Sequence, residues 1–484
     1  MRKAAFSNRG RYLQTEVVHR KKNSAKSMGN HLSEYFRIPE DLRCSFTHQE
    51  LTGAPGFFRF GPETICYGRC ESGPTAKKFS SHLYDALPEA RTVDQCVRLP
   101  FDPADVIDNL RSERYLSASG RRANGLTGSA LIRKIYYSCR NFLPLQARRR
   151  VQRFYLRGWR EVPFPRWPVD FTVDTLHEHF LRLSMKAMGT SRVPFIWFWP
   201  DGAPGCLVMT HDVETTLGVG FASKLMDMDD SHGIKASFQV VPGGRYEVPD
   251  DFIQEIRRRG FELNVHDLNH DGSLFQNHAQ FLEQAAKINE HARTYEVQGF
   301  RSGAMYRNQE WFEEFEILYD MSVPNVAHLE PQHGGCCTVM PYRIGEILEL
   351  PLTMTQDYSL FQIMGDYSIE LWKKECSQIL GRNGLVSFIV HPDYLLEQRA
   401  QKVYLDLLDY LSSLRAERKL WAALPRDVNR WWRNRGQMKL VRDGDRWHIE
   451  GQDRDRARIA FATLQGDRLI YSLDEASGTT SVAR

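Results

Sequence analysis

The chain is short of the features that most quickly assign a protein to a class. No stretch reaches the roughly eighteen consecutive apolar residues of a membrane-spanning helix. The N-terminus has no apolar signal core either, so a cytoplasmic location is expected. Charge is nearly balanced: 64 Lys and Arg against 60 Asp and Glu leave a formal net charge of +4 over 484 residues, too little to argue for nucleic acid as a partner. Nine cysteines, at 44, 66, 70, 96, 139, 206, 336, 337 and 376, form an odd and scattered set. That suits a reducing compartment and not a disulfide framework. Cys66 and Cys70 in CYGRC lack the second pair that a structural zinc site requires, and adjacent Cys336 and Cys337 have no evident base to activate them.

What is present is organised in blocks, and the length implies two or three domains, one of them large. Residues 1–40 are polar and basic with no apolar period, the composition of a disordered tail, with Met28 as an alternative start. Residues 41–130, rich in Gly, Pro and Cys, read as an accessory module. Its helix signal lies at 99–116, with Pro103 near the start and Val106, Ile107 and Leu110 at helical spacing. In the connector 131–204, arginines interleave with Tyr136, Tyr137, Phe142, Phe154, Tyr155 and Trp159 through residue 168. Such a segment fits either a peripheral helix on an anionic membrane surface or a packed helix with solvated arginines. From 205 to 424, apolar runs at 206–210, 236–241, 261–265, 298–300, 322–326, 347–352 and 386–390 alternate with helical stretches. That rhythm predicts an α/β fold of about seven parallel strands, as an open sheet or a β/α barrel. Residues 425–484 combine a short helix with alternating strands around Asp-Gly and Gly-Asp turns, a small antiparallel β module.

The chemistry concentrates at the ends of these runs. LVMTHDVETTLG (207–218) closes an apolar strand on Asp212 and Glu214, two positions that share one face of an extended chain. Two acids on one face repel unless a cation lies near them; the alternative is that they merely open a helix capped by Thr210 or Thr215. A second strand runs into HDLNH, which sets His266 and His270 four apart. Two histidines and a carboxylate form the donor set of an open metal site with a position left for water. Arg301, Asp357 and His391 follow further strands, and parallel sheets keep their active sites at the carboxyl ends of strands.

In this order the residues resemble the polysaccharide deacetylase family, metal-dependent carbohydrate esterases whose nodulation-protein-B homology domain is a distorted β/α barrel. The likeness covers roughly 205–395 and rests on THDVE (210–214), HDLNH (266–270), GFRSG (299–303), QDYSLF (356–361) and IVHPD (389–393). It implies Asp212 as general base, Glu214, His266 and His270 as metal ligands, Arg301 as the group orienting the base, and His391 as an acid held by Asp357. Where the family usually has proline two residues after the arginine, this chain has Gly303. His211 and Asp267, beside the ligands, are expected to be supporting groups.

The expected activity is removal of an N-acetyl group from an amino sugar in a glycan or glycan precursor. The cofactor expected is a divalent metal, zinc or else cobalt, nickel or iron. Two alternatives stay open: a hydrolase of small cyclic amides on the same barrel, and a non-catalytic carbohydrate-binding relative. A cytoplasmic protein with a membrane-surface segment would meet a nucleotide-linked or lipid-linked sugar sooner than finished wall polymer.

Overall fold

A computed structural model describes residues 28–71, 73–118, 154 and 156–474. At its centre is a parallel sheet built from β1 (Cys206–Val213), β2 (Ala236–Val240), β3 (Glu262–His266), β4 (Gly299–Arg301), β5 (Tyr319–Asp320), β6 (Tyr342–Ile344), β7 (Ile347–Glu349), β8 (Leu385–Ile389) and β9 (Trp421–Ala422). The order is β6-β7-β5-β4-β3-β2-β1-β8, with β9 added beside β1. Every ladder is parallel except that of β6 on β7. All eight residues of β1 are buried, which explains why the parallel strands read as continuous apolar runs and not as alternations. The helices between strands turn their apolar residues inward: Phe252, Ile253 and Ile256 do so on Asp250–Arg258, whose acids open the helix and whose arginines close it, matching the helix dipole.

The sheet curls into a distorted β/α barrel whose seam, between β7 and β8, is closed by the segment after β7. Thr353 Oγ1 accepts from Ser387 N at 2.9 Å and donates to Leu385 O at 2.7 Å, and Met354 N donates to Ser387 O at 3.2 Å. The strand expected at 322–326 is displaced to Tyr319–Asp320. The Asp320 carboxylate takes the Ser322 amide and hydroxyl at 2.9 and 2.7 Å, and Pro324 has no N–H to continue the ladder.

The flanking segments share cores and sheets with the barrel. The tail expected to run to residue 40 ends at an ordered helix, Met28–Phe36, which buries Leu32, Tyr35 and Phe36; residues before it lie outside the described set. The predicted 99–116 helix forms as Pro103–Arg111, capped by Asp102, whose carboxylate accepts from Ala104 and Asp105 amides. Phe57, Phe58, Phe101, Phe180, Trp199 and Val208 belong to one apolar core, so the accessory module is fused to the barrel. Most of the helix expected over 131–168 falls outside the described residues; its described end holds a 3₁₀ turn at Trp159–Glu161. At the C-terminus, Ile459–Gln465 pairs antiparallel with Arg468–Leu473 and also with Arg192–Ile196, so residues ahead of the barrel complete this sheet.

Candidate metal and acid–base site

The end of β1 answers whether its acids are helix caps. Thr215 caps the following helix through Gly218 N, leaving Asp212 and Glu214 buried at the mouth of the barrel. Asp393 holds the turn in place: its carboxylate accepts from Glu214 N at 3.2 Å and from the Thr215 hydroxyl. His266 ends β3 and pairs in register with Arg301 at the end of β4. Between the histidines, Asp267 has φ 57° and His270 has φ 52°, which turns the loop back so that both rings face β1. The two rings lie 4.7 Å apart, centroid to centroid.

Gly303 has a clear steric reason. A Cβ there would stand 2.4 Å from Asp267 Oδ2 and 3.0 Å from the His270 ring, and Gly303 N donates to Asp267 Oδ2 at 3.1 Å. Proline at 303 would remove that donor and collide with the histidine loop.

The predicted residues converge. Ligand atoms of Glu214, His266 and His270 all lie within 4.8 Å of one another. His270 Nε2 is 2.9 Å from Glu214 Oε1, and His391 Nε2 is 3.7 Å from the same oxygen. Arg301 Nη1 donates to Asp212 Oδ1 at 2.6 Å and to Thr210 Oγ1 at 2.8 Å, while its Nε donates to Met321 O at 3.1 Å. Asp357, just before a π-helical turn at Ser359–Met364, accepts from both Nδ1 and the backbone N of His391, at 2.7 and 2.8 Å.

The donor set fits a divalent ion. His266 Nδ1 sits 3.1 Å from Arg301 O, an acceptor, so the ring donates from Nδ1 and leaves its Nε2 lone pair facing the site. Both Nε2 atoms are buried and make no geometrically sound hydrogen bond. Such a state costs about 1–3 kcal/mol per atom if nothing fills it.

The charges are arranged to separate an acid from a base. Burial pushes the Asp212 carboxyl up, but Arg301, His266 and His391 outweigh it and hold the group below the usual carboxylate range. Burial, joined by His270 and Arg301 and opposed by Asp212 and Glu214, brings His266 down to about 4. His391 goes the other way: burial lowers it, yet the Asp357 carboxylate, helped by Glu214 and Asp212, raises it to about 10.

Sequence reading missed three groups here. Asp393 follows His391 within HPD, and Glu330, buried, accepts from Gln356 beside Asp357 at 2.8 Å. Arg245, in the loop after β2, places Nη1 2.6 Å from His270 Nδ1 and 3.0 Å from His270 O. Its PGGRY context at a strand end was the one available signal. Cys336 and Cys337 are no nucleophile candidates: burial pushes both thiols up, the reverse of activation.

Two histidines and a carboxylate that could hold a metal ion, flanked by the Asp212–Arg301 and His391–Asp357 pairs, form the kind of lining that metal-assisted hydrolysis uses. No protein-family model and no curated protein matches the chain. Among solved structures, it is similar to a Mycobacterium smegmatis protein assigned to the polysaccharide deacetylases, with 19% identity over 49% of this chain and 93% of that one and a TM-score of 0.40. It is also similar to the peptidoglycan deacetylase PdaC of Bacillus subtilis, at 10% identity over 47% and 90% with a TM-score of 0.31. A CE4 family pseudoenzyme of Bacillus anthracis, BA3943, matches at 13% over 46% and 65% with a TM-score of 0.29.

Proposed function

We propose that the chain is a metal-dependent hydrolase that removes an N-acetyl group from an amino sugar in a glycan or glycan precursor. The observation that supports this best is the placement of two couples, Asp212 with Arg301 and His391 with Asp357, around the three convergent side chains Glu214, His266 and His270. A divalent ion held by those three supplies Lewis-acid polarisation of a carbonyl and brings the pKa of water toward neutrality. Asp212 accepts the proton of the attacking water at Oδ2, because Oδ1 is held by Arg301. His391 enters as the protonated acid and delivers its Nε2 proton to the departing amine, a poor leaving group until protonated. Its Nδ1 stays bound to Asp357, which fixes the ring's direction.

The test measures acetate release from N-acetylated sugar donors and metal content on the same samples. Asp212→Asn should keep the metal and lose turnover, and His391→Ala should keep the metal and slow release by about 10²–10⁴-fold. Near-wild-type release by Asp212→Asn would move the base elsewhere.

A further inference from the structure

Arg245 occupies a position that a metal site has no use for. A guanidinium only donates hydrogen bonds, so the 2.6 Å contact from Nη1 makes His270 Nδ1 the acceptor. A neutral imidazole with a bare Nδ1 carries its proton on Nε2, the atom 2.9 Å from Glu214 Oε1. That is the atom which would have to ligate. His266 is in the opposite tautomer, with Nδ1 on the carbonyl of Arg301 and a free Nε2 lone pair. Both Nε2 atoms face the site, but His266 already presents a lone pair there while His270 must first exchange its tautomer.

The arrangement is built into the fold. Gly243 N donates to Leu268 O at 2.7 Å, pinning the Arg245 loop to the loop that carries His270. A Cβ at Gly243 would stand 2.1 Å from that oxygen. One residue beyond Arg245, Tyr246 donates to Val213 O at 2.6 Å and accepts from Val241 N at 3.1 Å, tying the other end of the loop to β1 and β2. Between these anchors the Arg245 side chain is 21% exposed, with Nη2 3.8 Å from Glu214 Oε2, so it has solvent to swing into.

We propose that Arg245 is a latch on His270 which must be displaced for the metal to bind. Resting on the reading of Glu214, His266 and His270 as the metal site, this assigns Arg245 the role of a positioning residue that selects the metal-free tautomer. On loading, the His270 proton moves from Nε2 to Nδ1, the imidazole stays neutral, and the guanidinium leaves both His270 and Glu214. Ligating histidines normally donate their second N–H to an acceptor, and arginine cannot be one.

The test is zinc affinity of the full chain by competition with a chromophoric chelator. Arg245→Ala should tighten binding about tenfold, and Arg245→Gln further, since its amide oxygen can accept from Nδ1. Structural damage would weaken binding, but loss of any nearby cation would also tighten it, so tightening without a change of the His270 tautomer overturns the latch. His266→Ala, which should lose the metal, is the control for the site itself. In ¹⁵N spectra of the metal-free protein, His270 should carry its proton on Nε2 in the wild type and lose that preference in Arg245→Ala. Zinc binding by wild type that Arg245→Ala leaves unchanged or weakens overturns the latch alone. No zinc binding by wild type or either Arg245 variant overturns the metal reading and the latch with it.

Discussion

Glu375 offers a quantitative test of how the barrel holds its acid–base machinery. It lies fully buried on the helix Glu370–Leu380, where Thr355 N donates to Oε2 at 3.1 Å and Thr355 Oγ1 lies 2.5 Å from Oε1. Burial raises its carboxyl from 4.5 to about 8, with the Thr355 hydrogen bonds pulling the other way. Below pH 4.5 both folded and unfolded chains carry this proton, and Glu375 costs nothing. Between 4.5 and 8 the unfolded chain loses the proton and the folded chain keeps it, so stability falls as pH rises, and the full loss is reached above 8. At about 1.36 kcal/mol per pH unit the gap amounts to about 5 kcal/mol, which relaxation and water entry around the ionised group reduce. Glu375→Gln keeps the shape and removes the proton. In urea denaturation of both proteins, wild-type stability minus variant stability should therefore decline by several kcal/mol from about pH 5 to about pH 9, other buried acids cancelling in the difference. A difference that stays flat with pH would refute the argument. The consequence reaches the site, because Thr355 lies two residues before Asp357 and Trp372 Nε1 fixes its carbonyl at 2.7 Å.

Two further outcomes follow from the flanking segments. Arg307 is buried and paired with Glu113, which also accepts from Gly335 N at 2.6 Å; Glu113→Gln should cost about 3–5 kcal/mol by stranding that arginine, and a loss under about 0.5 kcal/mol in urea denaturation would show that the contact carries no docking energy. The proposed membrane-surface segment 131–168 should sediment the chain with anionic vesicles at low salt and release it at high salt, and failure to sediment at low salt favours the packed-helix alternative.

The parallel strands were legible because strands buried on both faces leave long apolar runs, as β1 shows at full strength, but the choice of a barrel over an open sheet came from the family resemblance alone. The site was legible for a related reason: Asp212, His266 and Arg301 are the residues at which apolar runs stop, and a strand end is where a buried polar group meets the mouth of the barrel. The fold brings Asp357 to His391 through two hydrogen bonds that no local pattern announces. β5 escaped because its end is set by a side chain, Asp320, taking the amide that would have extended the ladder. Arg245 and Glu113 escaped for a different reason. Each acts on a partner far off in sequence, and a lone charged residue in a loop carries no sign of which buried group it will meet.

The charge pattern also bears on how one pocket keeps an acid and a base apart. Unperturbed, an aspartate and a histidine both hold working protonation states only between about pH 4 and 6.5. Here Arg301 extends the lower side and Asp357 the upper, so at neutral pH Asp212 is ionised while His391 carries its proton. Part of the hold on that proton comes from Glu214, whose Oε1 faces His391 Nε2 at 3.7 Å. Under the proposed function, a dication held by Glu214 would offset that carboxylate's charge and loosen its share of the hold on His391. Asp357 lies on the far side of the imidazole, bonded to Nδ1 and away from the ligand cluster, so its share of the hold survives. The Asp357 share is therefore the part of the hold on His391 that does not depend on the proposed metal.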